Sequence, residues 1–280
     1  MEIIVDPKEM QQRALAAKRV GQRIAFVPTM GYLHDGHLSL LQAGRQRGDL
    51  LVLSIFVNPT QFGANEDLST YPRALESDCE LARAAGTDLV FAPATAAIYP
   101  ANASTWVNVE GLTEVLCGAS RPGHFRGVTT VVTKLFNLVQ PDVALFGCKD
   151  FQQLAVIRRM VRDLDMPVEI VGMPIVREAD GLALSSRNVY LTPDERQQAL
   201  VLSRAIATAR QMAESGVRNV GEVVAALRAL IAAQPSARID YLQICHQDML
   251  QEQAAIDRDS VLLLAVFIGK TRLIDNSFLL

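Results

Sequence analysis

The sequence predicts an α/β chain, a doubly wound parallel sheet followed by a smaller α+β unit. Three observations carry that expectation. Short, almost wholly apolar runs alternate with longer amphipathic stretches through the first 175 residues, as a parallel sheet covered on both faces requires. Glycines and charged residues gather where an apolar run gives way to a helical pattern, so the crevice should lie at the carboxyl ends of the strands. After Pro174 the pattern changes to a polar, glycine-containing stretch, then two long helical segments, then two strand-like runs.

In chain order, the strands are expected at residues 24–27, 50–56, 88–91, 143–146 and 168–171, with helices at 38–47, 77–85, 128–139 and 151–164. Residues 102–125 show no clean period and are expected to be partly a mobile loop. Beyond the boundary, helices are expected at 193–215 and 220–233, and strands at 239–244 and 260–268 in a small mixed sheet. The domains are therefore 1–175 and 176–280.

Composition bounds the function. At 280 residues, 50% apolar and 20% charged, the chain can bury a sizeable core. A net charge of −3 without a dense Lys/Arg cluster argues against nucleic acid. The longest apolar run, residues 261–268, is too short to cross a bilayer, so no membrane partner is expected. The start of the chain has no basic segment leading into a long apolar one, which points to a cytoplasmic protein. Cys79, Cys117, Cys148 and Cys245 lack the spacing of a zinc site or a disulfide framework.

Four constellations can carry chemistry. The first is Met30-Gly31-Tyr32-Leu33-His34-Asp35-Gly36-His37, between the first apolar run and the first helix. Free backbone N–H groups and the positive end of a helix dipole suit a phosphate there, and Gly31 and Gly36 let the backbone approach it. Metal binding is the bland alternative. H-x-x-H is not the spacing of a zinc-protease helix, so His34 and His37 read better as donors to phosphate oxygens. The second is Asn58-Pro59-Thr60-Gln61, where Gln61 offers donor and acceptor to a substrate carrying carboxylate and hydroxyl groups. Turn chemistry alone would explain its Asn-Pro.

The third is Gly147-Cys148-Lys149-Asp150, with Gln153 following. Gly147 allows close approach, Lys149 neutralises phosphate charge, and Asp150 binds a ribose hydroxyl or merely caps a helix. No P-loop pattern occurs in the chain. Cys148 has no base beside it and reads as incidental. The fourth is Leu184-Ser185-Ser186-Arg187, whose hydroxyls and guanidinium can grip pyrophosphate, or which is simply a serine cap beside a surface arginine.

Together these segments closely resemble the pantothenate synthetases (pantoate–β-alanine ligases), over nearly the whole chain from Val27 to Asn276. That family lies within the H-x-G-H nucleotidyl transferases. Two departures are visible: Cys148 stands where glutamate is usual, and Leu184 where methionine is common. The resemblance implies a Rossmann-like first domain, a lid-like second domain and a homodimer. It also implies ATP-dependent condensation of pantoate with β-alanine through a pantoyl-adenylate, releasing AMP and pyrophosphate, with Mg2+ arriving on the triphosphate.

By resemblance His37, His34 and Lys149 are catalytic. Residues 30–37, 147–150, Val176 and 184–187 bind ATP, and Gln61 and Gln153 bind substrate, with no dedicated metal ligands. Asp78 is a candidate outer-shell partner of the magnesium. Two rival readings stand beside this one: another H-x-G-H nucleotidyl transferase acting on a cofactor precursor, and a module that binds ATP without turning it over. The presence of His37, Lys149 and Gln61 argues against the second.

Overall fold

The computed structural model describes residues 1–63 and 66–280. Six parallel strands form the larger sheet: β1 (Glu2–Ile4), β2 (Ile24–Thr29), β3 (Leu50–Ile55), β4 (Leu89–Phe91), β5 (Val143–Gly147) and β6 (Glu169–Met173). Their order across the sheet is β1-β4-β3-β2-β5-β6. The chain thus runs outward from β2 to β4, then crosses back to place β5 on the other side of β2. That reversal opens a crevice at the carboxyl ends of β2 and β5.

Alternation along the strands explains why both faces are covered. In β2, Ile24 and Phe26 join one core with α1 (Pro7–Arg19), α6 (His124–Val139) and α7 (Phe151–Asp163). Ala25 and Val27 join another with α2 (Asp35–Arg45) and α3 (Leu75–Ala84). Two one-turn helices, α4 (Thr95–Ile98) and α5 (Cys117–Ser120), punctuate the connection to α6. Residues 102–125 are thereby partly ordered by packing, with Leu112, Leu116 and Phe125 buried.

The second unit carries α8 (Pro193–Ala199), α9 (Val201–Glu214) and α10 (Val220–Ala232) on a sheet of β7 (Ala237–His246), β8 (Ser260–Ile268) and β9 (Thr271–Phe278). This sheet is antiparallel throughout, not mixed as expected. The single helix expected at 193–215 is two, joined at Leu200. One face of the sheet packs on α9 and α10 through Leu242, Leu262, Leu264 and Leu273. From the other face Cys245, Val261 and Leu263 join the core of the larger unit. No helix among the described residues is long and apolar enough to cross a membrane.

Candidate active site

The histidine turn is built by its own side chains. Helix α2 begins at Asp35, three residues earlier than expected, which makes His34 its N-cap and puts His37 in its first turn. His34 Nδ1 accepts from Gly36 N at 3.2 Å, and His37 Nδ1 accepts from His34 N at 3.3 Å. A backbone N–H only donates, so each Nδ1 must offer a lone pair, and each neutral ring carries its proton on Nε2. The rings stack with centroids 4.2 Å apart. Burial, reinforced by His34, holds the His37 pKa down to about 3. Burial and the charge of Lys149 likewise lower that of His34. Both are therefore neutral donors at neutral pH rather than cations.

The turn leading into them is clamped from below. Asp78, on α3, is 1% exposed, and its carboxylate accepts from Tyr32 N at 2.8 Å and Leu33 N at 2.7 Å. Gly31 has φ +84°, and a Cβ there would stand 2.9 Å from an Asp78 oxygen. Tyr32 also has positive φ. Both Asp78 oxygens are committed to backbone, so the structure corrects the outer-shell metal role: Asp78 braces the histidine turn.

A cleft of about 250 Å³ sits over the ends of β2 and β5. Of the sequence-predicted residues, it gathers Met30, His34, Gly36, His37, Gln61, Gly147, Lys149, Asp150, Gln153, Val176, Leu184, Ser185, Ser186 and Arg187. Tyr32 and Asp35 line an adjoining depression instead. Gly31, Leu33 and Cys148 line neither: Gly31 sits against Asp78, Leu33 is core, and the Cys148 sulfur lies under Gly172. A larger cavity of about 790 Å³ adjoins, toward β7–β9, and shares Lys149, Asp150, Gln153 and Arg187 with the cleft.

The walls are tied across long sequence separations. Asn276 Nδ2, on β9, donates to the carbonyls of Cys148 and Lys149, both at 2.9 Å. Asp275, with its side chain wholly buried, takes a bidentate grip from Arg177 at 2.7 and 2.8 Å. Arg187 reaches back to Asp67 at 3.0 Å, so its guanidinium has a carboxylate partner across the cleft. Among the described residues no group of three His, Cys, Asp or Glu side chains forms a metal cage.

Sequence reasoning missed Tyr71, Arg121 and His124 and assigned Asn58 no role beyond its turn, yet all four line the cleft. The one available signal was Arg121-Pro122-Gly123-His124, an arginine and a histidine framing a turn ahead of an apolar helix. Asn58 is fully used: it donates to Gln61 Oε1 and Gly127 O, each at 3.1 Å, and accepts from the Thr60 hydroxyl. Gln61 also donates to Met30 Sδ at 3.1 Å, leaving one amide proton and one lone pair for a ligand.

Three half-buried, neutral histidines give the fold an acid limit. Burial, helped by Arg121, holds His124 down to about 4. Below pH 6.5 the unfolded chain takes up protons on His34, His37 and His124 that the folded chain refuses, so stability is full above that pH and falls toward 4. Each histidine contributes at most about 1.4 kcal/mol per pH unit. Urea unfolding at pH 7, 6 and 5 should show a steepening loss. A flat profile over that window would contradict the neutral assignment.

Comparison with known proteins agrees with this geometry. Residues 2–278 match the family model described as pantoate-beta-alanine ligase. The chain is 61% identical over 280 residues to the pantothenate synthetase of Syntrophotalea carbinolica, covering 100% of this chain and 99% of that one. It is 60% identical over 279 residues to that of Trichlorobacter lovleyi, with the same two coverages. The crystal structure of pantothenate synthetase from Thermus thermophilus superposes with a TM-score of 0.95 at 48% identity, covering 100% of this chain and 99% of that one. A Francisella tularensis pantoate-beta-alanine ligase, crystallised with beta-gamma ATP and beta-alanine, gives 0.82 at 32%, covering 99% and 97%. With the paired histidines, the Lys149 loop and full-length matches all in agreement, the chain belongs to the pantoate-beta-alanine ligase family.

Proposed function

We propose that this ligase joins pantoate to β-alanine in two steps within the one cleft. A pantoate carboxylate oxygen attacks the α-phosphorus of ATP and pyrophosphate leaves. The amine of β-alanine then attacks the acyl carbon, AMP leaves, and the amine nitrogen loses a proton. The observation that carries this reading is the convergence of the histidine turn after β2 with Lys149 and Asp150 after the adjacent β5, facing Ser185–Arg187 across one cleft.

The roles follow from chemistry. His34 and His37 give neutral Nε2–H donors to phosphate oxygens, with His37 at the α-phosphate. Charge neutralisation then falls to Lys149 and Arg187. Gln61 and Gln153 orient pantoate, and Gln61 also meets β-alanine. Gly147 and Asp150 hold the nucleotide, Val176 packs by the adenine, and Ser185, Ser186 and Arg187 clamp the departing pyrophosphate. Asp67 holds Arg187 until phosphate oxygens replace it. Magnesium travels on the triphosphate, since this ion binds through few protein ligands and keeps most of its water. Residues 176–280 act as the lid over residues 1–175, in a cytoplasmic homodimer formed through the sheet domain.

The test is exchange of labelled pyrophosphate into ATP with pantoate and magnesium present and β-alanine absent. Pantoate-dependent exchange is expected. Its absence in a folded, ATP-binding protein would remove the adenylate route.

A further inference from the structure

We propose that His124, set in one tautomer by Arg121, is the positioning residue that fixes Gln61 for substrate. Both hydrogen bonds of its ring have only one possible sense. Nδ1 lies 2.8 Å from the Gln61 carbonyl, which only accepts, and Nε2 lies 3.2 Å from Arg121 Nη1, which only donates. The ring is therefore neutral, with its proton on Nδ1, opposite to the tautomer of His34 and His37.

Arg121 is itself consumed. Its Nε and Nη2 each meet a Glu66 oxygen at 2.6 Å, and Nη2 also reaches the Gln61 carbonyl at 3.4 Å. With its donors so engaged, Arg121 is a brace and not a grip for a substrate carboxylate. The Gln61 turn is pressed from the same side by α6, where a Cβ on Gly127 would run into the Thr60 carbonyl. Asn58 sets the Gln61 side chain and His124 sets its backbone, so a substrate meets an amide that has little left to reorganise.

The inference rests on the reading of Gln61 as a substrate contact, and the experiment separates the two. Four variants are compared by the pantoate KM, kcat and thermal midpoint: His124→Asn, His124→Gln, His124→Leu and Gln61→Ala, with His124→Leu also made in the Gln61→Ala background. Asparagine places an N–H where Nδ1 stood. Glutamine restores only an acceptor toward Arg121.

His124→Asn should stay within about threefold of the parent KM, while His124→Gln and His124→Leu raise it about tenfold, the scale of one lost hydrogen bond. In the Gln61→Ala background, His124→Leu should add almost nothing, because the two act as a unit. An unaltered KM in His124→Gln, equal losses in all three His124 variants, or full additivity would overturn the proposal with the Gln61 reading intact. A parent-like KM in Gln61→Ala would overturn both. Should His124→Leu fail to fold, the contrast between asparagine and glutamine still decides.

Discussion

His37→Ala should lower turnover by about 10² to 10³, the usual scale for losing one donor aimed at a transition state. The structure sharpens what that variant removes. It deletes the Nε2–H donor facing the cleft and also the Nδ1 acceptor that caps α2 at His34 N. The cap alone is worth about 1 kcal/mol of stability, so a small drop in unfolding free energy should accompany the kinetic loss. Two further substitutions separate the effects. His37→Asn offers an acceptor near the Nδ1 position, so it should fold like the parent and remain as slow as alanine. His37→Gln places a donor near Nε2 and keeps a side chain that can cap from the third helical position, so it should be faster than alanine and no less stable. Single-turnover formation of the adenylate is the measurement. A fully active His37→Asn enzyme would take this imidazole out of the chemistry.

Asp78→Ala should be the most damaging substitution away from the cleft. Two backbone amides, of Tyr32 and Leu33, would lose a charged acceptor in a place where water barely reaches. Hydrogen bonds to a charged group count for more than neutral ones, and a destabilisation of about 3 kcal/mol is expected. The turn it supports contains two consecutive residues with positive φ, Gly31 and Tyr32, which relax once the clamp is gone. Displacement of the histidines by about an ångström would then cost roughly a further 10² in rate. Urea unfolding together with turnover tests both parts. An undamaged fold with weakened magnesium dependence would return Asp78 to the metal.

The sequence showed what is local and hid what is long-range. The larger sheet was legible because β2, β3 and β5 are continuous apolar runs buried on both faces. β1 escaped notice, being three residues long with two of them exposed. β9 was hidden differently: the charged Asp275 and polar Asn276 stand inside its pattern, buried because they bind Arg177 and the Lys149 loop. The four motifs each occupy one short segment, so reading them needed no fold. Arg121 and His124 could not be read that way, since the carbonyl they hold is some sixty residues earlier in the chain. Asp78 was noticed and misassigned for the same reason: an isolated carboxylate suggests a metal until the amides it accepts from are seen.

The anchoring of the Lys149 loop by Asn276 has a consequence for synthesis. A ribosome makes the chain from the amino end, so the sheet, both histidines, both glutamines and Lys149 emerge well before Asp275 and Asn276. A nascent chain that had already formed the crevice would still lack the two hydrogen bonds that fix the loop and the carboxylate that holds Arg177. Competence therefore waits on residues 275 and 276, however early the crevice itself takes shape.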